Sequence, residues 1–161
     1  MSAGADYKLV RNSTVGSELT EDKAKVLAAK LGVRELQDGE FLVREGETDQ
    51  RLFILAAGQL AVLSRDSDGV DKHVYTMQEG ECAGTRAFVE QSSRKATLRA
   101  VGKAMVYTLT PADFEALLDE NPRLAYLVMR ALFRVTHANL ARMNQESREL
   151  TNYITKTQGR Y

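Results

Sequence analysis

Residues 80–97 contain the residue types that a protein needs to bind a phosphate group. The segment reads Gly-Glu-Cys-Ala-Gly-Thr-Arg-Ala-Phe-Val-Glu-Gln-Ser-Ser-Arg-Lys-Ala-Thr. A glycine such as Gly84 lets the backbone approach a ligand closely, and a small residue such as Ala87 keeps the floor of a pocket shallow. Arg94 offers a planar, permanently charged fork of donors that matches phosphate oxygens. The chemistry that this segment favours is therefore anion binding.

No catalytic motif accompanies the segment. The chain lacks Gly-x-x-x-x-Gly-Lys, Gly-x-Ser-x-Gly and Cys-x-x-Cys. His73 and His137 fall in different predicted elements, so neither a catalytic pair nor a metal site rich in histidine is expected. Cys82, the single cysteine, is predicted to be a small buried apolar side chain. We therefore expect no enzyme activity, no cofactor and no metal.

The composition is that of an ordinary soluble domain. The 161 residues include 22 Lys plus Arg and 22 Asp plus Glu, so no net charge favours nucleic acid or an anionic membrane. A single domain is expected at this length. No apolar run approaches the roughly 20 residues that span a bilayer, and the N-terminus has no secretory signal pattern. These features, with a single cysteine, predict a cytoplasmic protein.

The pattern of apolar residues predicts helices around a β-rich middle. Residues 1–16 are polar and aperiodic, which indicates a flexible N-terminal arm. Thr20 can cap a helix that stops near Gly32. Seven short apolar runs bounded by Gly and Asp then favour a β-sandwich or barrel. The runs are 34–36, 41–44, 52–55, 59–64, 73–77, 95–101 and 105–109.

Two further helices are predicted in the last third of the chain. Thr110-Pro111 and Asn121-Pro122 are both helix start signals. The first closes a domain at residues 17–121, and the second opens a long helix over 122–156 that leaves a tail at 157–161. Eight positions along this helix alternate four and three apart, which predicts a parallel two-helix dimer. We call these positions the heptad seam: Met129, Phe133, Thr136, Leu140, Met143, Ser147, Leu150 and Ile154.

The segment at 80–97 resembles the phosphate-binding cassette of cyclic-nucleotide-binding domains, and we call it the cassette. That family has Phe-Gly-Glu-x-Ala-Leu followed by Arg-x-Ala-Thr, and this chain has Ala83-Gly84-Thr85-Arg86-Ala87-Phe88 and then Arg94-Lys95-Ala96-Thr97. The stretches beginning at Leu42 and Leu52 are also similar to family segments, in the same order. The resemblance covers residues 18–150. It implies a mainly β fold with flanking helices: an eight-stranded jelly roll, an N-terminal helix and a long C-terminal dimerisation helix.

The resemblance also implies a ligand site. The family's arginine binds the exocyclic phosphate oxygens, and Arg94 holds that position. The family's glutamate accepts the ribose 2′-hydroxyl, but Thr85 stands in its place, and losing such a bond costs roughly 1.5–3 kcal/mol. The expected ligands are cAMP, cGMP or a cyclic dinucleotide. The expected ligand-binding residues are Gly84, Thr85, Arg86, Ala87, Arg94, Lys95, Ala96 and Asn139, the last as a reader of the base.

Several readings of this chain stay open at the level of the sequence. Thr85 is either a ligand contact or a filler in a degenerate pocket, and Arg86 either binds a second phosphate or faces solvent. Only seven residues follow the heptad seam, so no DNA-binding module is expected. The first hypothesis is a dimeric sensor that signals to a protein partner. The alternatives are a dimeric scaffold that binds no nucleotide and, less favoured, an enzyme subunit regulated in trans.

Overall fold

The computed structural model describes residues 4–158, which form a mainly β domain with flanking helices. In chain order the helices are α1 (Tyr7–Arg11), α2 (Glu21–Lys30), α3 (Thr85–Glu90), α4 (Pro111–Glu120) and α5 (Pro122–Gln158). The strands are β1 (Gly32–Leu36), β2 (Phe41–Val43), β3 (Leu52–Arg65), β4 (Asp71–Met77), β5 (Cys82–Ala83) and β6 (Thr97–Leu109).

All strand pairs in the sheet are antiparallel, and the two long strands β3 and β6 form its centre. Their pairing runs from Leu52 opposite Leu109 to Leu63 opposite Thr97. Strands β1 and β2 pair with the other edge of β6, whereas β4 and β5 pair with β3. We call this curled sheet the β-roll: β1 and β2 lie on one side of its central strand pair, and β4 and β5 lie on the other.

The described chain has six strands rather than the eight implied by the resemblance. Each long strand contains two of the predicted runs, because the glycine between them shifts the register without ending the pairing. Gly58 has φ +85°, and a Cβ atom there would lie 2.3 Å from the carbonyl oxygen of Lys103. Gly102, at φ +70°, lies between the two predicted runs that β6 joins.

The hydrophobic core has two parts, which lie on opposite faces of β3. Leu52 and Ile54 point toward the helices and pack with α2, α4 and the start of α5. Phe53 and Leu55 point into the roll and pack with side chains of the other strands. Alternate residues of a strand face opposite sides, so burial on both faces explains the continuous apolar run that begins β3. The ring of Phe53 reaches the cassette from inside the roll.

The prediction of a flexible N-terminal arm is wrong for the part of it that the structure describes. Residues 1–3 lie outside the described residues, but α1 begins at Tyr7, and Val10 and Val15 are buried against the helical face of the core. Two buried valines are too few for a helical period to stand out in the sequence. The amide of Thr14 donates to the carbonyl of Gly80 at 2.9 Å, which fixes this segment beside the cassette.

The predicted helix starts are confirmed. Thr20 accepts from the amide of Lys23, and Thr110 accepts from the amide of Asp113 with Pro111 in the first turn of α4. The 37 residues of α5 give a helix roughly 55 Å long. It includes Thr157 and Gln158 of the predicted tail, and the rest of that tail lies outside the described residues. Within residues 4–158, no helix is both long and apolar enough to cross a membrane.

Candidate ligand-binding site

A cavity of about 300 Å³ lies between the β-roll, the cassette and α5. The structure brings seven of the eight predicted ligand residues together in its lining, which are Gly84, Arg86, Ala87, Arg94, Lys95, Ala96 and Asn139. Apolar side chains from β2, β3 and β4 line the interior, and Asn139 approaches from α5. The cavity therefore joins the cassette to the long helix, although the two are far apart in the sequence.

Arg94 is the best-defined functional group in the cavity. Its side chain is 3% exposed, and Nη2 donates to the carbonyl oxygen of Arg51 and to Oδ1 of Asp49. The guanidinium lies over the ring of Phe53, with 4.7 Å between Cζ and the ring centroid. Its Nε and Nη1 atoms are buried and have no hydrogen-bond partner among the residues that the structure describes. A buried cation with two free donors is costly to leave alone, and an anion in the cavity would supply the missing partners.

An aspartate behind Arg94 holds the guanidinium in place. Asp49 accepts from Nη2 of Arg51 at 2.6 Å and lies 3.4 Å from Nη2 of Arg94. Burial alone would raise the pKa of Asp49, but the hydrogen bonds from Arg51 and the charges of both arginines outweigh it and lower that pKa to about 2. Burial also lowers the pKa of Arg94, and Asp49 opposes this effect. One carboxylate between two arginines leaves the group with a net positive charge.

Sequence reasoning missed Asp49 and Arg51. Both come from the turn before β3, and Arg94 reaches them across 45 and 43 positions of the chain. An acid two residues before an arginine is a common surface pattern, so nothing in the local sequence indicates that the pair positions Arg94.

Gly84 is required by both its backbone conformation and its neighbours. Its φ is +83°, and a Cβ atom there would lie 2.2 Å from Nη1 of Arg94 and 3.0 Å from the carbonyl oxygen of Arg51. The glycine precedes α3, whose start has no side-chain cap. Ala87 in this helix is buried and contributes to the cavity wall. The close approach predicted at Gly84 is therefore an approach to Arg94 itself.

Thr85 is the one predicted ligand residue that does not line the cavity. It is the half-buried first residue of α3. Arg86 is exposed, and its Nε lies 3.2 Å from Oε2 of Glu90 one turn later in the helix. Lys95 is exposed at the mouth of the cavity, beside the half-buried Ala96. The position of the family's glutamate thus contributes no carboxylate to the cavity.

Polar groups that sequence reasoning missed line the cavity on the side of β4 and α5. They are Tyr75, Glu81 and Arg142. The hydroxyl of Tyr75 donates to Oε1 of Glu81 at 2.5 Å, and the amide of Gln78 donates to Oε2 at 2.6 Å. Arg142 follows Asn139 by one helical turn, so that spacing was the available signal for it. Glu81 is the second residue of the cassette, but it matches none of the positions of the family's motif.

The eight residues of the heptad seam are all exposed in the single chain. The apolar members include Phe133 at 70% and Leu150 at 61% exposure. Thr136 and Met143, on either side of Asn139, belong to this seam and do not line the cavity. Whether the seam forms a dimer interface stays a prediction.

A curled antiparallel sheet with a cassette, a buried arginine and a long C-terminal helix defines a class of ligand-binding domain. The family described as the cyclic nucleotide-binding domain matches residues 33–121, more than half of the chain. The chain belongs to this family.

The individual relatives agree with that assignment. A cAMP-dependent protein kinase regulatory subunit from Blastocladiella emersonii is 31% identical over 50% of this chain and 20% of its own. The cGMP-dependent protein kinase 2 of Homo sapiens is 31% identical over 55% of this chain and 12% of its own. A crystal structure of a cyclic nucleotide-binding domain from Methylobacillus flagellatus has a TM-score of 0.81 at 15% identity, covering 91% of this chain and 86% of that one. The chain thus spans only a small part of the two kinase proteins.

Proposed function

We propose that this chain is a regulatory module that binds a cyclic nucleotide, or a related second messenger containing phosphate, in the cavity beside Arg94. The observation that carries the proposal is the buried guanidinium, whose Nε and Nη1 lack partners within residues 4–158 while Asp49 and Arg51 hold its other side. A cyclic phosphate offers two exocyclic oxygens to such a fork. The module itself catalyses no reaction and passes the state of its ligand to a protein partner.

The volume of the cavity favours a mononucleotide. About 300 Å³ lies at the lower end of the roughly 300–1,000 Å³ that ligand pockets usually have. Cyclic AMP and cyclic GMP are therefore favoured over a cyclic dinucleotide. Among the described residues, four cationic side chains line the cavity, Arg86, Arg94, Lys95 and Arg142, and they supply a positive field for the phosphate.

The long helix is proposed to report the state of the ligand. Val135, Asn139 and Arg142 line the cavity from one side of α5, and the heptad seam runs along another side of the same helix. A ligand that contacts both the cassette and α5 would favour one position of the helix over others. We propose that two copies of the chain pair through the heptad seam. The partner protein would then recognise the position of α5 in this dimer.

One observation favours the alternative function of a scaffold that binds no nucleotide. Thr85 replaces the family's glutamate and does not line the cavity, so the usual ribose contact is missing. In that case the domain would serve only as a dimeric interaction surface. The two proposals differ in whether Arg94 ever meets a ligand.

A thermal-shift panel with cAMP, cGMP and cyclic dinucleotides separates the two. A ligand at about a hundred times its Kd should raise the Tm of the parent by about 5–10 °C. Arg94→Gln should abolish the shift, whereas Arg99→Gln, an exposed arginine on β6 that does not line the cavity, should retain it. If no compound shifts the parent but Thr85→Glu creates tight cAMP binding, the scaffold function is the correct one.

A further inference from the structure

Arg94 and Glu81 both line the cavity, and each is attached to the segment around β3 at a different position. Arg94 donates to the carbonyl of Arg51, and the amide of Leu55 donates to the carbonyl of Glu81 at 3.0 Å. Residues 52–54 separate the carbonyl of Arg51 from the amide of Leu55 on an extended chain, which is roughly 10 Å at 3.3 Å per residue. A phosphate bound at Arg94 would therefore leave another part of the ligand nearer to Glu81.

Glu81 is the only carboxylate among the described residues that line the cavity. Each of its oxygens already accepts one hydrogen bond, from the hydroxyl of Tyr75 and from the amide of Gln78. A carboxylate has about four acceptor positions, so each oxygen can accept another bond from a ligand. The two existing bonds fix the direction in which the carboxylate faces.

Arg142 brings the opposite charge to the same end of the cavity. It is exposed on α5 and forms no salt bridge with any described residue. It lies close enough to Tyr75 for its charge to lower the pKa of that hydroxyl, against the larger raising effect of the hydrogen bond to Glu81. An acceptor and a cationic donor therefore face the end of the cavity without neutralising each other.

We propose that Glu81 and Arg142 read the base of the bound nucleotide and select guanine over adenine. The inference rests on the proposed function, since it concerns the ligand of the same cavity. Guanine presents N1–H and N2–H donors that fit a carboxylate, and O6 and N7 acceptors that fit an arginine. Adenine would turn its N1 acceptor toward Glu81 and its N6 amino group toward Arg142. Either mismatch leaves a charged group without a partner.

Isothermal titration with cGMP, cAMP and cyclic IMP tests this assignment. The parent should bind cGMP at least about tenfold more tightly than cAMP, because one or more charge-assisted bonds distinguish the two. Cyclic IMP keeps N1–H and O6 but lacks the 2-amino group, so its affinity should fall between them. Glu81→Gln should lower the affinity for cGMP by about tenfold or more and change the affinity for cAMP little. Arg142→Gln should also weaken the binding of cGMP, by a smaller factor, and change the binding of cAMP little.

Matched control variants keep the result interpretable. Glu79→Gln and Arg148→Gln alter the same residue types outside the cavity lining and should leave the ratio of cGMP to cAMP affinity unchanged. Tyr75→Phe, which frees the carboxylate, should reduce the ratio less than Glu81→Gln. Arg142→Gln lies on an exposed helix surface and tests the assignment even if Glu81→Gln unfolds.

The outcomes separate this inference from the proposed function. If the parent binds cAMP as tightly as cGMP, or if Glu81→Gln and Arg142→Gln weaken both equally, guanine selection is wrong while nucleotide binding stands. If the parent binds none of the three compounds, both the inference and the proposed function are wrong.

Discussion

The start of α5 and the remainder of this helix differ in what their apolar side chains contact. Leu124, Val128 and Leu132 are buried against the β-roll. From Phe133 onward the apolar side chains of the heptad seam are exposed. The β-roll therefore completes its own core within the first three turns of α5. The cavity meets α5 just beyond this border, where Val135 and Asn139 line it, so a ligand there contacts the same region of the helix that carries the heptad seam.

The largest effect on stability is expected where α5 meets the roll. Leu124 is fully buried, and Leu124→Ala should lower the free energy of unfolding by about 2–5 kcal/mol through the cavity that it leaves. Leu150→Ala, in the exposed region of the same helix, should change it by less than about 0.5 kcal/mol. Urea denaturation at a protein concentration low enough to give monomers measures both. Equal losses for the two variants would remove the distinction between the regions.

The second effect concerns the cassette. Gly84→Ala should cost about 1–3 kcal/mol for a side chain at positive φ, and should also displace the guanidinium of Arg94, which lies 2.2 Å from the new Cβ. Gly69→Ala is the control, because Gly69 has φ +79° with no atom within 4 Å of its Cβ. Both variants should lose stability in denaturation, but only Gly84→Ala should lose nucleotide binding. Retained binding in Gly84→Ala would separate the glycine from the anion site.

Features of the fold that depend on neighbouring residues were predicted from the sequence better than those that depend on distant ones. Thr20, Thr110-Pro111 and Asn121-Pro122 were identified correctly as helix starts, since a cap depends on residues within one turn. The apolar runs that became strands were found for a similar reason. By contrast, the continuity of β3 and β6 depends on pairing between distant segments. The packing of Val10 and Val15 likewise depends on residues far along the chain, and it was missed.

Within the site, the resemblance to the family located the cassette side of the cavity and Asn139. It could not locate groups for which the family has no fixed position. Asp49 acts through a contact with Arg94 that spans 45 residues. Glu81 and Tyr75 become a pair only when β4 turns back toward β5. These contacts depend on tertiary packing, and no local spacing encodes them.

The third effect is a dependence of stability on pH that arises behind Arg94. The pKa of Asp49 is lowered from 3.8 to about 2 in the folded protein, so its contribution is present above pH 4 and is lost as the pH falls toward 2. Allowing for screening by solvent, this contribution is about 1–2 kcal/mol. Asp49→Asn should therefore be less stable than the parent at pH 7, and the difference should shrink between pH 5 and pH 2. Asp119→Asn, an exposed site on α4, should track the parent; a difference for Asp49→Asn that stays constant with pH would contradict the assignment.

The smallest effect on the fold, and the most specific on assembly, is expected in the exposed region. Leu140 is 53% exposed in the single chain, so Leu140→Glu should leave the unfolding of the roll nearly unchanged. It should nevertheless place two carboxylates together in a dimer seam and separate the copies. Light scattering at micromolar concentration should then give about 17.9 kDa, where the parent gives twice that mass.

Ala141→Glu adds the same charge one residue away, on the outward side of α5, and should leave the dimer intact. A parent that is already monomeric would mean that the heptad seam meets some surface other than a second copy. Nucleotide titration of Leu140→Glu completes the comparison, because Asn139 and Arg142 line the cavity from the other side of the helix. If binding survives while the dimer is lost, a single chain forms the ligand site on its own, and the heptad seam serves only to transmit its state.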